Sequence, residues 1–355
     1  MIKSIEFENF KGFDSLKLED LTRCNLISGM NNVGKSSVLE GIFLYLDHVA
    51  AESFLKISNF RGIVVNPLST KIWDVVFKNT DPTIPLSIKV VDEEGVESKL
   101  TYQKDSSYLP SDLAMNPEVL KQFVYSAKSN YALKYTFKKD AYEEKGHFVI
   151  GQPGILANCE TSLERNEIER MQHAQYINNA ISTTDMVIND WFGQAELEGR
   201  KSSIVSLLKI IEPKINDITL ISAGGQPQLY TNINGRLMPM KLSGDGINRL
   251  LYIILSIYEN PDSVILIDEI ENGFHYSLYV KLWELIVKAA NDANCQVFAT
   301  THSLECIEGA VAGIPNNDAL RTFSYYRLDR NGTTKAHRFS YDMMQSAIKY
   351  NMEVR

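Results

Sequence analysis

Nine residues constrain this chain more than any others. Gly29 to Ser37, read as GMNNVGKSS, set a glycine, four residues, a second glycine, a lysine and a serine in one uninterrupted run. Glycine reaches backbone conformations closed to other residues, so two of them can bracket a tight loop whose N–H groups turn inward. A loop of that kind closes around phosphate when a strand leads into it and a helix leads out. Both flanks are present. Cys24 to Ser28 reads as a short buried strand, and Val38, Leu39, Ile42, Phe43 and Leu46 recur at helical spacing. An ammonium at Lys35 suits the terminal phosphates of a nucleotide, and the hydroxyl of Ser36 suits a hard Mg2+ ion. Gly29, Asn31, Asn32, Gly34, Lys35, Ser36 and Ser37 are therefore the expected nucleotide contacts, with ATP and Mg2+ as cofactors.

A second stretch supplies acids. In Ser263 to His275, SVILIDEIENGFH, four apolar residues run straight into two adjacent carboxylates. Val264 to Ile267 has no polar alternation, which suits a strand covered on both faces. In open α/β sheets ligands bind outside the carboxyl ends of the strands, which puts Asp268 and Glu269 at the reacting edge. Asp268 is the expected Mg2+ ligand through water, and Glu269 the base that orients and deprotonates the attacking water. A core strand ending in a solvated acidic turn would read the same in isolation; the glycine loop decides against it.

Bulk properties exclude several classes. The chain has 355 residues, enough for a large core and a second lobe. With 36 basic and 44 acidic residues its formal net charge is -8, so general basicity supplies no affinity for nucleic acid. Four cysteines, Cys24, Cys159, Cys295 and Cys306, lack metal-ligand spacing and read as reduced thiols, which fits a cytoplasmic protein. The longest apolar run, around Leu250 to Tyr258, is too short to span a bilayer, and no membrane role is indicated.

Ile5 and Phe7 alternate with Glu6 and Glu8, and Leu16 and Leu18 flank Lys17, which predicts two antiparallel strands before the glycine loop. The run IEFENFKGF followed by NLISGMNNVGKSSVLEGIF resembles the start of the SMC and RecF group of ABC-type ATPases. That resemblance implies a P-loop NTPase of α/β class: a mixed central sheet flanked by helices, an antiparallel side sheet and an inserted helix-rich lobe. It also implies that the turn Asn9 to Gly12 approaches the nucleotide, which makes Lys11 a contact. A short helix around Trp73 to Phe77 and strands near Leu86 to Val91 and Val96 to Gln103, joined by DEEG, fit the side sheet. No equivalent of the family's γ-phosphate-sensing glutamine stands out.

The expected organisation is 1–104 for the first part of the ATPase head, 105–216 for a mainly helical inserted lobe, and 217–355 for the rest of the head. Within the lobe Lys121, Lys128, Lys134, Lys138 and Lys139 interleave with Phe123, Tyr125, Tyr131, Tyr135 and Phe137 without an acid. Period-two alternation puts Tyr131, Leu133, Tyr135 and Phe137 on one face of a strand and Lys134 and Lys138 on the other. A solvated lysine face and a DNA surface both fit that pattern. Ile168, Met171, Ala174, Ile177 and Ile181 make a loose helical stripe, and Ile204, Leu207, Leu208, Ile211 and Ile215 a tighter one. No heptad is sustained, which argues against a long coiled-coil arm.

Asn232 to Gly235 predicts a hairpin turn, and LSGDG at Leu242 to Gly246 opens a helix through Ile247, Leu250, Leu251, Ile254 and Ile257. It resembles the Ser-Gly signature of ABC-type ATPases, which caps the γ-phosphate held by the other subunit; by that resemblance Ser243, Gly244 and Gly246 are nucleotide contacts in a homodimer, or in a higher oligomer built on it. Glu271, Asn272, Gly273 and His275 form the E-N-G-x-H run of the OLD-like branch, a turn the resemblance places at the dimer interface. Val297 to Thr301 reads as a buried strand, and His302 behind it matches the family's switch histidine. Thr322 to Asp329 and Thr334 to Phe339 around Asn331-Gly332 predict a terminal hairpin, and Tyr341 to Tyr350 a helix.

OLD-family nucleases continue into a Toprim domain, for which this sequence leaves no room after the hairpin, so any effector activity is expected from a separately encoded partner. Two functions remain. One is an ATP-driven dimeric switch resembling the ATPase subunits of bacterial anti-phage defence systems. The other is a DNA-gripping ATPase resembling recombination and repair clamps. The acidic balance and the absence of a long arm favour the first.

Overall fold

The charged and apolar alternation at the start of the chain becomes a hairpin of β1 (Ile2–Phe10) and β2 (Phe13–Leu18), and β3 (Cys24–Gly29) leads into the glycine loop. The computed structural model describes residues 1–62, 71–108, 124–125, 132–152, 155–160, 173–178, 185–222, 225–314, 322–350, 352 and 354. Strands β4 (Leu86–Asp92), β5 (Glu97–Asp105), β6 (Val124–Tyr125), β7 (Ala132–Lys139), β8 (Tyr142–Gln152), β9 (Ile155–Glu160) and β10 (Ala174–Ile177) follow. Then come β11 (Ile215–Ser222), β12 (Pro227–Ile233), β13 (Arg236–Pro239), β14 (Val264–Ile267), β15 (Gln296–Thr300), β16 (Phe323–Asn331) and β17 (Thr333–Phe339). The helices are α1 (Lys35–Leu46), α2 (Ser53–Phe60), α3 (Lys71–Asp74), α4 (Asp185–Leu197), α5 (Lys201–Ile211), α6 (Asp245–Tyr258), α7 (Tyr279–Asp292), α8 (Leu304–Gly313) and α9 (Tyr341–Lys349). Among the described residues no helix is long and apolar enough to cross a membrane.

Two compact units result. The first joins Met1–Leu21, Gly29–Ala174 and Tyr326–Arg338. Its eight-stranded sheet runs β2-β1-β4-β5-β7-β8-β6, with β9 paired to β8. Every pairing described in it is antiparallel, and period-two alternation sends one face inward. That face carries Tyr102, Tyr135 and Phe148, against which Phe54 of α2 packs edge-on at ring separations of 5.5 Å to Tyr102 and 5.8 Å to Phe148. At the hairpin end Phe7, Phe10 and Phe13 form a buried triad with centroids 5.7 to 6.4 Å apart. Helix α1 meets this triad through glycine: a Cβ on Gly41 would stand 2.3 Å from Phe7 Cε1.

The second unit joins Thr22–Ser28, Gln175–Tyr325 and Phe339–Arg355. Here β14, β15 and the Cys24–Ser28 part of β3 pair in parallel, and β10 flanks β14. All three parallel strands are buried throughout; β14 is wholly apolar, and the buried Asn25 of β3 and Gln296 of β15 are hydrogen-bonded to the Val297 and Thr22 carbonyls. Helix α6 buries Leu250, Leu251, Ile254 and Ile257, and α7 buries Leu282, Trp283 and Ile286. A separate antiparallel sheet, β11-β12-β13, turns at Asn234 and Gly235, both at positive φ as a two-residue hairpin requires. Cys24, Cys295 and Cys306 are free and buried, and burial pushes the Cys24 and Cys306 thiols up to about 12.

The α/β class and the predicted strands around both motifs are present. Several expectations need correction. Residues 132–152 and 155–160 are not helical: they carry β7, β8 and β9 of the first unit, while α4 and α5 belong to the second. Ala174 and Ile177, read as part of a helical stripe, form β10 instead, because the backbone of Asp268 donates to the Ile177 carbonyl at 2.8 Å. Ile215 leaves the α5 stripe to pair with Ile233 in β11. The lysine face is partly neutralised, since Lys138 pairs with Glu143 at 2.9 Å; Lys139, at the end of the other face, pairs with Asp92 at 3.2 Å. Lys121, Phe123, Lys128, Tyr131, Ile168, Met171 and Ile181 lie outside the described residues.

Two outcomes follow from this packing. Gly41→Ala drives a methyl group into Phe7, and overpacking of this kind costs about 1–3 kcal/mol, readable as a lowered denaturation midpoint. His48, 1% exposed, stacks on Phe137 with centroids 4.4 Å apart, its Nδ1 2.8 Å from the Tyr45 carbonyl and its Nε2 without a hydrogen-bond partner. Burial lowers its pKa, against the pull of Glu144, the Tyr45 carbonyl and Asp47. The unfolded chain therefore binds a proton that the folded chain refuses. Stability is complete above the ordinary histidine pKa of about 6.5 and is lost below it, by at most about 1.4 kcal/mol per pH unit. Denaturant titrations at pH 7.5 and 5.5 should differ less for His48→Gln than for the parent chain; an undiminished difference would assign the slope elsewhere.

Candidate functional site

In the first unit the loop after β3 has the backbone that phosphate binding requires. Gly29 and Gly34 stand at φ 141° and 106°, and Asn32 occupies the left-handed region at φ 62°. Any side chain at Gly34 would also strike Phe13, whose Cε1 lies 2.5 Å from the Cβ position. Helix α1 begins at Lys35 without a side-chain cap, so its first amides point to the loop as anion donors. Lys35 Nζ donates to the carbonyls of Gly29 at 2.7 Å and Met30 at 2.9 Å, which curls the ammonium over its own loop. Ser36 and Ser37 follow in the first turn, and Ser37 is buried.

Behind that turn lies a charge cluster. Glu40 has a fully buried side chain and receives Arg61 through two bonds, Nε to Oε1 at 2.6 Å and Nη2 to Oε2 at 3.0 Å. Arg61 Nη2 also lies 3.4 Å from Ser37 Oγ. Lys11, from the β1–β2 turn, bonds the same carboxylate through Nζ. Burial lowers the Lys11 pKa while Glu40 opposes that shift. The structure thus places Lys11 on Glu40, at a turn held in positive φ at both Asn9 and Lys11.

In the second unit the parallel register brings the carboxyl ends of β14, β15 and β3 to one edge, where Asp268-Glu269 and Thr301-His302 leave the sheet. Thr300, fully buried at the end of β15, serves both acids: its hydroxyl donates to Asp268 Oδ1 at 2.5 Å and accepts from the Glu269 backbone at 2.9 Å. Tyr176 donates to Asp268 Oδ2 at 3.4 Å. Glu269 is a non-glycine residue at φ 49°, a conformation that costs energy unless the surroundings impose it. The surroundings do impose it. Arg249 Nη2 donates to the carbonyls of both Asp268 and Glu269 at 2.9 Å, and Asn272 Nδ2 donates to Glu269 Oε2 at 2.6 Å. Burial lowers the Arg249 pKa, opposed first by Glu271 and then by Glu269 and Asp268.

His302 Nε2 lies 3.6 Å from Glu269 Oε1, so the expected base and the expected switch histidine are neighbours. Glu271 Oε1 accepts from the backbone N–H of His302 at 2.6 Å, which ties the E-N-G turn to the histidine. At the start of α6, Gly244 is an N-cap at φ 105° with no side-chain cap. Gly246 packs so tightly that its Cβ would stand 2.6 Å from the Gly273 carbonyl oxygen. Ser243, half-buried, holds its hydroxyl 2.5 Å from that of Thr231 in β12.

Sequence reading found the acids, the histidine and the helix start, but missed Thr300, Arg249, Thr231 and the Glu40–Arg61 pair. Thr300 had one signal, its place at the end of a buried strand beside His302. The others had none, since each acts on a residue far from it in sequence.

Comparison with known proteins agrees with this geometry. The AAA ATPase domain family matches residues 1–150 and 152–307. An "ATP/GTP phosphatase" of Helicobacter pylori is 25% identical over 337 residues, 87% of each chain. The DNA replication and repair protein RecF of Bacillus thuringiensis is 22% identical over 201 residues, 50% of this chain and 51% of its own. Among solved structures, the Smc head bound to the C-winged helix domain of ScpA superposes with a TM-score of 0.54 at 14% identity, covering 98% and 99% of the two chains. The Smc head of Pyrococcus furiosus bound to the C-terminal domain of ScpA gives 0.53 at 10% identity, covering 99% of each. With a glycine loop leading into a helix, paired acids at a parallel sheet edge and a family match over most of its length, this chain belongs to the AAA ATPase domain family and has the fold of SMC heads.

Proposed function

We propose that the chain is an ATP-hydrolysing switch subunit that closes into a dimer on ATP and passes its nucleotide state to a separately encoded effector. One observation carries the reading. Gly246 seats the uncapped start of α6 on Gly273, inside the turn that also holds Glu269, Glu271 and Asn272. A helix end that can donate to an anion and the turn that bears the base are therefore one mechanical piece, and a phosphate bound at the first is felt at the second.

In this reading the loop amides and Lys35 hold the phosphates, Ser36 and Asp268 are the ligands for Mg2+, and Glu269 draws the proton from water with His302 beside it. The donors suit the ion, since a hydroxyl and a carboxylate are hard oxygens. Among the described residues no group of three or more His, Cys, Asp or Glu could hold a metal, so Mg2+ would lean on water and phosphate oxygens. Ser243, Gly244 and Gly246 face the nucleotide of a second subunit, and Lys11 reaches the phosphate end from Glu40. The resemblance to anti-phage ATPase subunits makes a nuclease or toxin in a cytoplasmic defence system the effector of choice. The partial likeness to RecF supports the alternative, a DNA-gripping ATPase, but the pairing of Lys138 with Glu143 argues against phosphate binding on the lysine face of β7.

Glu269→Gln keeps the shape and the Asn272 bond while removing the base. Because general-base catalysis contributes about 100- to 10,000-fold, this variant should bind ATP, hydrolyse it slower by that factor, and gain mass in light scattering with ATP-Mg. Hydrolysis within about 3-fold of the parent rate would remove Glu269 from the base role, since the factor at stake is at least about 100.

The shared site has its own test. An arginine at Gly246 would collide with the Gly273 carbonyl, so the blocking change belongs at Ser243. Lys35→Ala and Ser243→Arg subunits should each be inactive alone, while an equimolar mixture should recover ATPase activity through one intact site per heterodimer. A mixture no more active than its parts would leave a catalyst that works within one chain.

A further inference from the structure

Thr231 is fully buried in the middle of β12, yet it carries a polar group. Its Oγ1 lies 2.5 Å from Ser243 Oγ and 3.5 Å from the carbonyl of Met238, its partner across the β12–β13 ladder. Ser243 belongs to an exposed turn whose backbone is held by its own N–H on the Met240 carbonyl at 2.9 Å and by Asn248 Nδ2 on the Gly244 carbonyl at 2.9 Å, while its hydroxyl has Thr231 as its neighbour. Leu242 before it is 73% exposed, and a Cβ on Gly244 after it would meet nothing within 4 Å. The hydroxyl of Ser243 thus has a buried side facing Thr231 and an open side facing solvent at the uncapped start of α6.

Proton direction decides what this pair does. A phosphate oxygen only accepts, so Ser243 must donate its single proton outward to bind one. Its lone pair then has to be satisfied from behind, and Thr231 has one proton to give. The competing acceptor, the Met238 carbonyl, is at the limit of hydrogen-bond distance and competes only weakly for that proton. A chain from Thr231 to Ser243 to phosphate is the arrangement in which every group is used once, and each bond polarises the next.

On the dimeric reading above, we infer that Thr231 is a positioning residue for the terminal phosphate of a nucleoside triphosphate: it selects the rotamer of Ser243 and turns that hydroxyl into a committed donor. Thr231 touches no nucleotide itself. Its action runs wholly through Ser243, which separates it from residues that merely hold β12 in place.

The test is a double-mutant cycle on the full chain with ATP-Mg as probe. Thr231→Val keeps the shape and removes the donor, and should lower kcat/KM by about 2- to 12-fold, the worth of one neutral hydrogen bond. Thr231→Ser should restore it. In a Ser243→Ala background Thr231→Val should cost nothing further, and thermal melting should show all four variants folded. An equal loss from Thr231→Val in both backgrounds would make Thr231 structural and overturn the inference. Unchanged kcat/KM in Thr231→Val, with a loss in Ser243→Ala, would overturn it while the dimeric reading stands. Full activity in Ser243→Ala would remove the phosphate role of the helix start, and the inference with it.

Discussion

Parallel pairing of three fully buried strands is the constraint on which the second unit depends. β14, β15 and β3 have no solvent face, so a polar side chain inside them needs a hydrogen-bond partner, as Asn25 has in the Thr22 and Val297 carbonyls, and charged residues come only where the strands end. Because the pairing is parallel, those ends lie at one edge. Asp268, Glu269 and His302 converge there for that reason. An antiparallel arrangement of the same sequences would have sent β15 the other way and left His302 apart from Glu269.

Putting charges at the end of a buried strand is costly unless each oxygen has a partner. Thr300 supplies much of the solution, since one hydroxyl both donates to Asp268 and accepts from the backbone of Glu269. Arg249 satisfies two carbonyls at the sharp turn, and Asn272 meets the Glu269 carboxylate. The positive φ of Glu269 is sustained by these contacts, an example of local strain held by its surroundings. Glu271 gives one oxygen to the His302 backbone, while its Oε2 is buried with no hydrogen-bond partner among the described residues. Desolvation of that oxygen is tolerated beside the Arg249 charge.

The first unit solves a different problem, how to bring a hairpin close to a helix that starts at a phosphate loop. It does so by deleting side chains where contact is closest. Phe7 and Phe13 occupy the space that side chains at Gly41 and Gly34 would fill, so the aromatic triad of the hairpin rests directly on the backbone of the loop and helix. The same approach buries Glu40, and two cations from separate segments, Lys11 and Arg61, answer its charge. A carboxylate so enclosed is stable only with such partners.

The chain's local chemistry was legible from its residues alone. A glycine loop between an apolar run and a helical stripe, two acids ending a second apolar run, and Asn-Gly turns each follow from backbone sterics and hydrophobic period, which act over a few neighbouring residues. The helix stripe through Ala174 and Ile177 failed because pairing beside β14, a tertiary event, overrode a weak period. Of the lysines that fitted either a solvated face or a DNA surface, Lys138 and Lys139 have carboxylate partners supplied by β8 and β4, which the sequence did not show. What only the tertiary structure decided is which side chains answer one another: Thr300 with Asp268, Glu271 with His302, Arg61 with Glu40, Thr231 with Ser243. These pairs lie 12 to 32 residues apart, and a hydrogen bond leaves no periodic trace along the chain, so their partners are set by how strands, helices and turns come together rather than by any local pattern.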